Sequence, residues 1–475
     1  MYKWIAAVAG FAMMAFELVA ARLLAPTIGS STFIWTNVIG VIMAALALGY
    51  WLGGKAADMR KREMDVVRLC FGVAILVTVV LVMHGPLIDV ARSFSSDARV
   101  QGFVAALILF APTSVLIGMI SPYLAKLALK TTATTGKTIA GLSTYNAIGS
   151  ILGTFLTGFF LFGVIGSKAT LVVVIVAMLI VGWLVNPHKK MWERIILSLL
   201  IMAVVGIATV PSGAGAISID TAISNYTVDT GVWNETRREV TVLLAGPGGI
   251  QSASYVHGEK DLVFWYTQEI AAVVKAAPKK GSILIIGGGA FSLPEYLGRK
   301  YPEARVDVVE IDPELEGIAV EYFRFEKPDN VTVYAEDARG YVNRTDVQYD
   351  IVIMDAFSDT NVPWQFVTRE FGDGVADLLN EKGIVILNAI TGLDGDCSGI
   401  YDAEVMTYGE RLSSVYMKQQ YEGSTGIMNR IFVFGSERLE LEKYETVDIS
   451  NLTPAYRDDF APIEHLWQRC QSTRY

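Results

Sequence analysis

The chain has few residues of the types that usually hold metal ions. Its 475 residues include only 3 cysteines and 4 histidines, which form neither a CxxC nor an HExxH pattern. No metal site is therefore expected. Cys397 and Cys470 lie in the C-terminal half, where a disulfide requires that this half is exported to an oxidising compartment.

Charged residues are scarce in the first half of the chain. Residues 1–215 contain 16 Lys and Arg against 7 Asp and Glu, a net charge of +9, whereas the remainder contains 23 against 41, a net charge of −18. The first half contains about seven apolar runs, each near the ~20 residues that cross a bilayer. They are 4–24, 33–54, 66–84, 101–128, 139–164, 168–186 and 195–211. The sequence therefore predicts a multi-pass α-helical membrane domain over 1–211, in contact with the lipid bilayer.

Basic residues between the apolar runs predict the orientation in the membrane. They cluster in three alternate loops, as Lys55, Arg60, Lys61, Arg62 and Arg68, then Lys126, Lys130 and Lys137, then Lys189, Lys190 and Arg194. The positive-inside rule makes these loops and the N-terminus cytoplasmic, in a plasma (inner) membrane. About seven crossings then place the C-terminal half outside the cytoplasm. The first run is not a cleavable signal peptide, because Glu17 and Arg22 interrupt it.

The C-terminal half begins after a linker at 212–216. Residues 217–258 alternate polar and apolar side chains with turn signals, which predicts a small antiparallel β-module. From 259 to 475, strand patterns alternate with helical segments, which predicts a Rossmann-like α/β domain.

Four successive strand patterns of this α/β domain end in glycines or acids. The residues are Gly287, Gly288 and Gly289, then Glu310, then Asp337, then Asp355. Ligands of open α/β sheets bind at the carboxyl ends of the strands, and an acid about 20 residues after the glycines commonly binds ribose hydroxyls. Glycines also allow a tight turn and a close approach of backbone to ligand. The order predicts a nucleoside site with additional carboxylates.

This order of β-module, glycine loop and strand-end acids resembles spermidine synthases and related aminopropyltransferases over about residues 220–440. FELVAARLLAP at 16–26 and LGYWLGGKAAD at 48–58 resemble polytopic membrane proteins that carry a spermidine synthase-like domain. The resemblance implies a fold of the S-adenosylmethionine-dependent transferase type. It also implies decarboxylated S-adenosylmethionine or a related S-adenosyl nucleoside as donor, an amine or polyamine as acceptor, and a homodimer.

The resemblance assigns roles to individual residues. Gln251, Gly287, Gly288, Gly289, Glu310 and Asp337 match nucleoside-binding positions, Asp355, Tyr266 and Tyr421 match catalytic positions, and Asp359 matches an amine-binding position. The chemistry suits these residue types, because an amine nucleophile is mostly protonated at pH 7 and a carboxylate can accept its proton. The acidic half is expected to attract polycations and to repel nucleic acid.

The glycine loop departs from the family pattern. GGGDGG is replaced by GGGAFS, so Ala290 stands where the family has an Asp that contacts the amine end of the donor. Asp355 and Asp359 are also one residue further apart than the family's acid pair, and the proline after that pair is absent. Three classes of function therefore remain open. They are a membrane-bound aminopropyltransferase, a non-catalytic nucleoside or polyamine sensor or transport-associated protein, and an S-adenosylmethionine-dependent methyltransferase.

Overall fold

The computed structural model describes the chain apart from residues 96, 130–134, 186–189, 210–215, 247–248, 259, 358–361 and 473–475. The chain divides into two compact units. The first comprises Met1–Gly215 and Ile219–Tyr226, and the second comprises Ala216–Ser218 and Thr227–Tyr475. Asp359 and most of the predicted linker lie outside the described residues.

The first unit is built from apolar helices. Their bounds are α1 Tyr2–Ile28, α2 Thr32–Met59, α3 Glu63–Arg92, α4 Ala98–Leu109, α5 Ala111–Ala128, α6 Thr135–Leu156, α7 Phe162–Leu184 and α8 Met191–Thr209, with a π-helical turn at Thr157–Leu161 between α6 and α7. Within the described ranges, 5 continuous helices are long and apolar enough to cross a membrane, and α4 with α5, bent by 50°, makes a sixth if the pair is one span. Their insertion into a bilayer stays a prediction.

The continuous helical segment formed by α6, the π-helical turn and α7 contains a break. Thr135–Leu184 has 50 residues, more than twice the ~20 that one crossing needs, and Gly166 interrupts it with φ 75° and ψ 176°. The backbone N–H of Ser167 just after the break donates to Oδ2 of Asp220 at 2.6 Å. If α4 with α5 is one span and the segments before and after Gly166 are counted separately, the number of candidate spans is seven, the number predicted from the sequence; the crossings themselves stay a prediction.

Arg22, an ionisable residue within an apolar run, is held by polar and aromatic partners. Its guanidinium donates to the carbonyl oxygens of Thr221, at 2.6 Å, and of Ala222. It also lies 4.2 Å from the centre of the Phe162 ring. These contacts, with the bond from Ser167 to Asp220, attach the short segment after the linker region to the helices, which explains why Ile219–Tyr226 belongs to the first unit.

Four short strands precede the α/β fold, inside the range predicted for the β-module. They are β1 Ile217–Asp220, β2 Asn225–Val232, β3 Glu239–Ala245 and β4 Ile250–Tyr255, and they are ordered β1-β2-β3-β4. The pair β3 and β4 is antiparallel, with Val240 opposite Tyr255. β4 supplies residues to the candidate site.

The α/β fold has an eight-stranded sheet with helices between its strands. The strands are β5 Ser282–Ile286, β6 Arg305–Glu310, β7 Val331–Ala335, β8 Tyr349–Met354, β9 Leu379–Thr391, β10 Ser414–Gln419, β11 Met428–Gly435 and β12 Glu445–Thr446. The helices are α9 Trp265–Ala276, α10 Ser292–Lys300, α11 Leu315–Phe323, α12 Ala338–Arg344, α13 Arg369–Asp377, α14 Ser398–Gly409 and α15 Ile463–Ser472. The strand order is β12-β10-β11-β9-β8-β5-β6-β7.

The strand order defines a ligand-binding edge. β7, β6, β5, β8 and β9 are parallel, whereas β11 runs antiparallel to both β9 and β10. The order reverses at β5, since β6 lies on one side of it and β8 on the other, and ligands bind at such reversals beyond the carboxyl ends of the strands. The Rossmann-like fold predicted for the C-terminal part is thus confirmed.

A disulfide joins two distant parts of the α/β fold. Cys397, directly before α14, pairs with Cys470 of α15, 73 residues further along the chain. The structure therefore contains the disulfide that was expected only if this half of the chain is exported. Cys70, in α3, is free and buried.

Candidate functional site

The loop after β5 turns tightly against the end of β8. Gly287 has φ 100°, and a Cβ there would lie 2.3 Å from the carbonyl oxygen of Asp355. Gly289 has φ 51°, and a Cβ there would lie 2.6 Å from Oγ of Ser252 on β4. Ser252 also accepts a hydrogen bond from the backbone N–H of Ala290 at 3.0 Å. The two glycines are therefore needed for both the turn and the close approach.

Phe291 explains how the loop accommodates its departure from the family pattern. Its backbone is left-handed, with φ 58°, a conformation that costs a non-glycine residue about 1–2 kcal/mol. Its side chain is fully buried and stacks on Phe325, with ring centres 5.0 Å apart. A Cβ on Gly288 would lie 2.8 Å from the Phe291 ring. The aromatic ring thus fills the space beneath the loop and offsets the backbone strain.

Glu310 joins the end of β6 to the glycine loop. One carboxylate oxygen accepts the backbone N–H of Gly288 at 2.8 Å, and the other accepts that of Asp312 at 3.0 Å. Burial raises the pKa of Glu310, and the bonds from backbone N–H groups oppose this rise. Because a carboxylate can accept about four hydrogen bonds, it retains capacity for hydroxyl donors such as those of a ribose.

Asp337 follows β7 and begins α12. Its Oδ1 accepts the backbone N–H of Gly340 at 3.0 Å, so it caps the helix. The side chain is exposed at the same sheet edge as the glycine loop. Its contact with a nucleoside base stays a prediction.

Asp355 directly follows β8 and is bonded to an asparagine of the neighbouring strand. Its Oδ1 accepts a hydrogen bond from Nδ2 of Asn388, on β9, at 2.8 Å. Oδ1 of Asn388 in turn accepts from Nδ2 of Asn429, on β11, at 2.9 Å. Burial raises the pKa of Asp355 to about 7, and the bond from Asn388 opposes this rise. A carboxyl group with this pKa is suited to proton transfer at neutral pH.

The sequence-based prediction missed both asparagines. The available signal was Asn388 in GIVILNAI, where a polar residue interrupts the apolar pattern of a buried strand. The side chain is only 2% exposed, so its amide requires hydrogen-bond partners. Asn429 lies in a strand with no comparable pattern.

Tyr266 lies close to Asp355. It is the second residue of α9, and its hydroxyl donates to the backbone carbonyl of Gln251, on β4, at 3.4 Å. Burial and the negative charge of Asp355 raise the pKa of Tyr266 well above its usual value. The structure thus brings together the predicted residues Asp355, Tyr266, Gln251 and Gly287.

One of the other predicted residues, Tyr421, is not joined to this group. Tyr421 lies in the loop between β10 and β11 and is 61% exposed. Asp359 lies outside the described residues, so the role predicted for each stays a prediction. In the part of the chain that the structure describes, no three or more His, Cys, Asp or Glu residues are arranged to hold a metal ion.

Residues 263–397 match the spermine/spermidine synthase domain. This segment contains the glycine loop and the ends of β6, β7 and β8. The α/β part of the chain is therefore similar to spermidine synthases, in agreement with the resemblance inferred from its motifs.

Curated relatives include two aminopropyltransferases. The polyamine aminopropyltransferase of Vibrio vulnificus (strain CMCP6) is 35% identical over 161 residues, which are 33% of this chain and 52% of that protein. A probable polyamine aminopropyl transferase of Bifidobacterium longum (strain NCC 2705) is 30% identical over 150 residues, 32% of this chain and 33% of that protein. The chain thus spans about half, or less, of the length of these relatives.

Methyltransferases are also among the relatives. The eEF1A lysine and N-terminal methyltransferase of Xenopus laevis is 32% identical over 121 residues, 23% of this chain and 18% of that protein. Among solved structures, a probable spermidine synthase from Corynebacterium glutamicum ATCC 13032 aligns with a TM-score of 0.44 and 20% identity, over 51% of this chain and 96% of that chain.

Proposed function

We propose that the α/β domain transfers an aminopropyl or related alkyl group from an S-adenosyl nucleoside to an amine. The observation that carries the proposal is Asp355, at the reversal of strand order, beside Gly287 and Tyr266 and with a pKa of about 7. In the transfer, the amine nitrogen forms a bond to the carbon beside the sulfonium while the carbon–sulfur bond breaks. The electron pair of that bond neutralises the sulfur, and Asp355 takes the proton that the nitrogen loses.

The electrostatics of Asp355 fit both stages of this reaction. As a carboxylate it attracts the ammonium form of the acceptor, and as a base it accepts the proton during attack. The hydroxyl of Tyr266 is expected to orient the amine nitrogen, because the raised pKa keeps this phenol neutral. No metal is required, since the positive charge of the donor disappears in the reaction.

The donor nucleoside is expected to bind across the glycine loop. Glu310 would accept its ribose hydroxyls, and Asp337 would contact the base. Support comes from the backbone bonds that hold the Glu310 carboxylate in place and from the match of residues 263–397 to the spermine/spermidine synthase domain.

A methyltransferase is the second candidate function. Ala290 is 3% exposed and supplies no carboxylate at the position where the aminopropyltransferase pattern places an Asp. An Asp there would attract the amine of a decarboxylated donor and repel the carboxylate of S-adenosylmethionine. Without an Asp at position 290, no carboxylate there favours the decarboxylated donor over S-adenosylmethionine. Methyltransferases also occur among the relatives.

The full chain purified in detergent distinguishes the candidates. It is incubated with a panel of amines and either decarboxylated S-adenosylmethionine or S-adenosylmethionine, and products are identified by mass spectrometry. We expect aminopropyl transfer, and we expect Asp355→Asn to lower its rate by roughly 10²–10⁴-fold with little change in methylthioadenosine affinity. Methyl transfer alone would establish the second candidate. Nucleoside binding without transfer from either donor would support a non-catalytic nucleoside-binding protein instead.

Asp350→Asn is the matched control for this experiment. Asp350 is the second residue of β8, the strand that Asp355 follows, and it accepts the backbone N–H groups of Gly281 and Ser282 at 2.8 and 3.2 Å. It therefore lies at the opposite end of the same strand from the candidate site. A general loss of folding would lower the rate in both variants, whereas loss of the base affects only Asp355→Asn.

We further propose that the helices anchor the protein in the inner membrane, with the α/β domain outside the cytoplasm. The loop charges and the predicted crossings support this side. The disulfide between Cys397 and Cys470 supports it independently, because disulfides persist in oxidising compartments. S-adenosyl compounds are made in the cytoplasm, so this location requires a ligand that is exported, a ligand that is delivered through the helices, or a different substrate.

The side of the membrane is tested by two reporters fused after the C-terminus, each active in only one compartment. We expect activity of the extracytoplasmic reporter alone. Thiol trapping in intact cells should show Cys397 and Cys470 oxidised, with Cys70→Ser as the control that leaves the trapping pattern of that pair unchanged. Fluorescence of the cytoplasmic reporter with reduced cysteines would overturn this location and leave the transferase proposal intact.

A further inference from the structure

Two asparagines form a continuous chain of amide hydrogen bonds that ends on Asp355. Asn388 is 2% exposed and lies between Leu387 and Ala389, which are both buried. Its direct partner across the strand pair is Ile431, and Asn429 lies two residues before Ile431 on β11. Burying an amide without partners costs several kcal/mol, so the placement of the Asn388 side chain requires the bonds that it makes.

When Asp355 is ionised, hydrogen bonding among the three groups runs in one direction. An ionised carboxylate only accepts, so Nδ2 of Asn388 must face Asp355 at 2.8 Å. Oδ1 of Asn388 then points away and accepts from Nδ2 of Asn429 at 2.9 Å. If the amide of Asn388 were flipped, two oxygens would face each other at its contact with Asp355. With Nδ2 of Asn429 facing it, Asn388 is held in the orientation that donates to the carboxylate.

We propose that Asn388, oriented by Asn429, is a positioning residue that occupies Oδ1 of Asp355 and leaves Oδ2 to accept the proton of the amine. This proposal rests on the proposed function, in which Asp355 is the base. It adds two residues that act through Asp355 rather than by touching the reacting atoms.

The bond from Asn388 also opposes the effect of burial on the pKa of Asp355. Without it the carboxyl would hold its proton to a higher pH and would be a poorer base at neutral pH. Other titratable groups lie near the hydrogen-bonded residues Asp355 and Asn388. Tyr266 of α9 lies near Asp355, and Glu404 and Tyr408 of α14 line a small cavity with Asn388. Burial raises the pKa of all three, so Glu404 requires its own control.

The decisive variant is Asn388→Leu, which keeps the volume of the side chain and removes the donor. We expect kcat/KM at about pH 7 to fall roughly 10- to 100-fold, as for loss of a hydrogen bond to a charged group. The acid limb of the pH profile should move to higher pH, and activity should recover as the pH rises. Asn429→Leu should move the limb in the same direction by a smaller amount, since Asn388 keeps its donor but loses its orientation.

Asn380→Leu is the matched control. Asn380 lies on the same strand as Asn388, and its Nδ2 donates to Oδ1 of Asp350 at 2.9 Å, at the opposite end of β8. It makes the same type of bond between the same strands, away from the candidate site. Its pH profile should match that of the wild type, as should that of Glu404→Gln. A shift with Glu404→Gln equal to that with Asn388→Leu would assign the limb to Glu404 and overturn the proposal.

A second readout does not depend on activity. The melting midpoints of the wild type and of Asp355→Asn are measured as a function of pH, and the difference between them follows the ionisation of Asp355. The same difference is then measured for the pair of proteins that also carry Asn388→Leu. The proposal expects this titration to move to higher pH in the Asn388→Leu background. An unmoved titration overturns the proposal, whereas a moved titration with no effect of Asp355→Asn on rate supports the positioning but overturns Asp355 as the base.

Discussion

Replacing Asp355 by Asn should make the protein more stable at alkaline pH while removing its proposed activity. An unfolded Asp has a pKa near 3.9, whereas burial in the folded protein raises the pKa of Asp355 to about 7. Because the folded pKa is the higher one, the folded state binds more protons between about pH 4 and 7. The contribution of the Asp355 carboxyl to stability is therefore fully present below about pH 4. It decreases as the pH rises above about 4 and is lost once the pH has risen through about 7.

The size of this effect follows from the difference between the folded and unfolded pKa values of Asp355. Each unit of pKa difference corresponds to about 1.4 kcal/mol, so a shift of about three units gives a loss of roughly 4 kcal/mol for a fully buried group. Asp355 retains some solvent contact and the bond from Asn388, which places the expected loss at about 2–4 kcal/mol. An asparagine in its place keeps an oxygen to accept that bond and does not titrate.

The measurement is the melting midpoint of the full chain and of Asp355→Asn in detergent, from about pH 5 to about pH 8. The variant should gain on the wild type as the pH rises, by roughly 3–11 °C over this range, since about two-thirds of the loss falls above pH 5 and 1 kcal/mol shifts a domain of this size by about 2–4 °C. Asp350→Asn should show no such gain. A difference between wild type and Asp355→Asn that is independent of pH would refute a raised pKa for this carboxyl.

Three other substitutions test the glycine loop and its partners. Glu310→Ala removes the proposed ribose acceptor and should weaken methylthioadenosine binding by about 1–3 kcal/mol in calorimetry; unchanged affinity would remove Glu310 from the site. Gly287→Ala places a Cβ 2.3 Å from a backbone oxygen at φ 100° and should abolish nucleoside binding. The control is Gly317→Ala in α11, where the space around the new Cβ is open. It should leave nucleoside binding unchanged and stabilise the helix by about 0.5–1 kcal/mol. Phe291→Gly relieves about 1–2 kcal/mol of backbone strain but loses about 3–5 kcal/mol of burial, so its melting midpoint should fall; a higher midpoint would show that strain dominates in this loop.

Local sequence determined the parts of the protein that depend on neighbouring residues. Apolar runs of membrane-spanning length indicate helices by composition alone. The glycine loop, Glu310 and Asp355 could be assigned to one edge because successive parallel strands share the direction of their carboxyl ends. The order of these residues along the chain therefore predicted which strand ends form the candidate site, and their binding of a nucleoside stays a prediction.

Tertiary structure decided which side chains meet at that edge. Asn388 reaches Asp355 because β9 pairs with β8, and Asn429 reaches Asn388 because β11 enters the sheet antiparallel between β9 and β10. The disulfide between Cys397 and Cys470 likewise joins residues 73 positions apart. Each of these contacts depends on strand order, register or helix docking over long separations, and no local pattern of residues encodes them. The raised pKa of Asp355 has the same origin, because burial is a property of the packed sheet edge rather than of the residue.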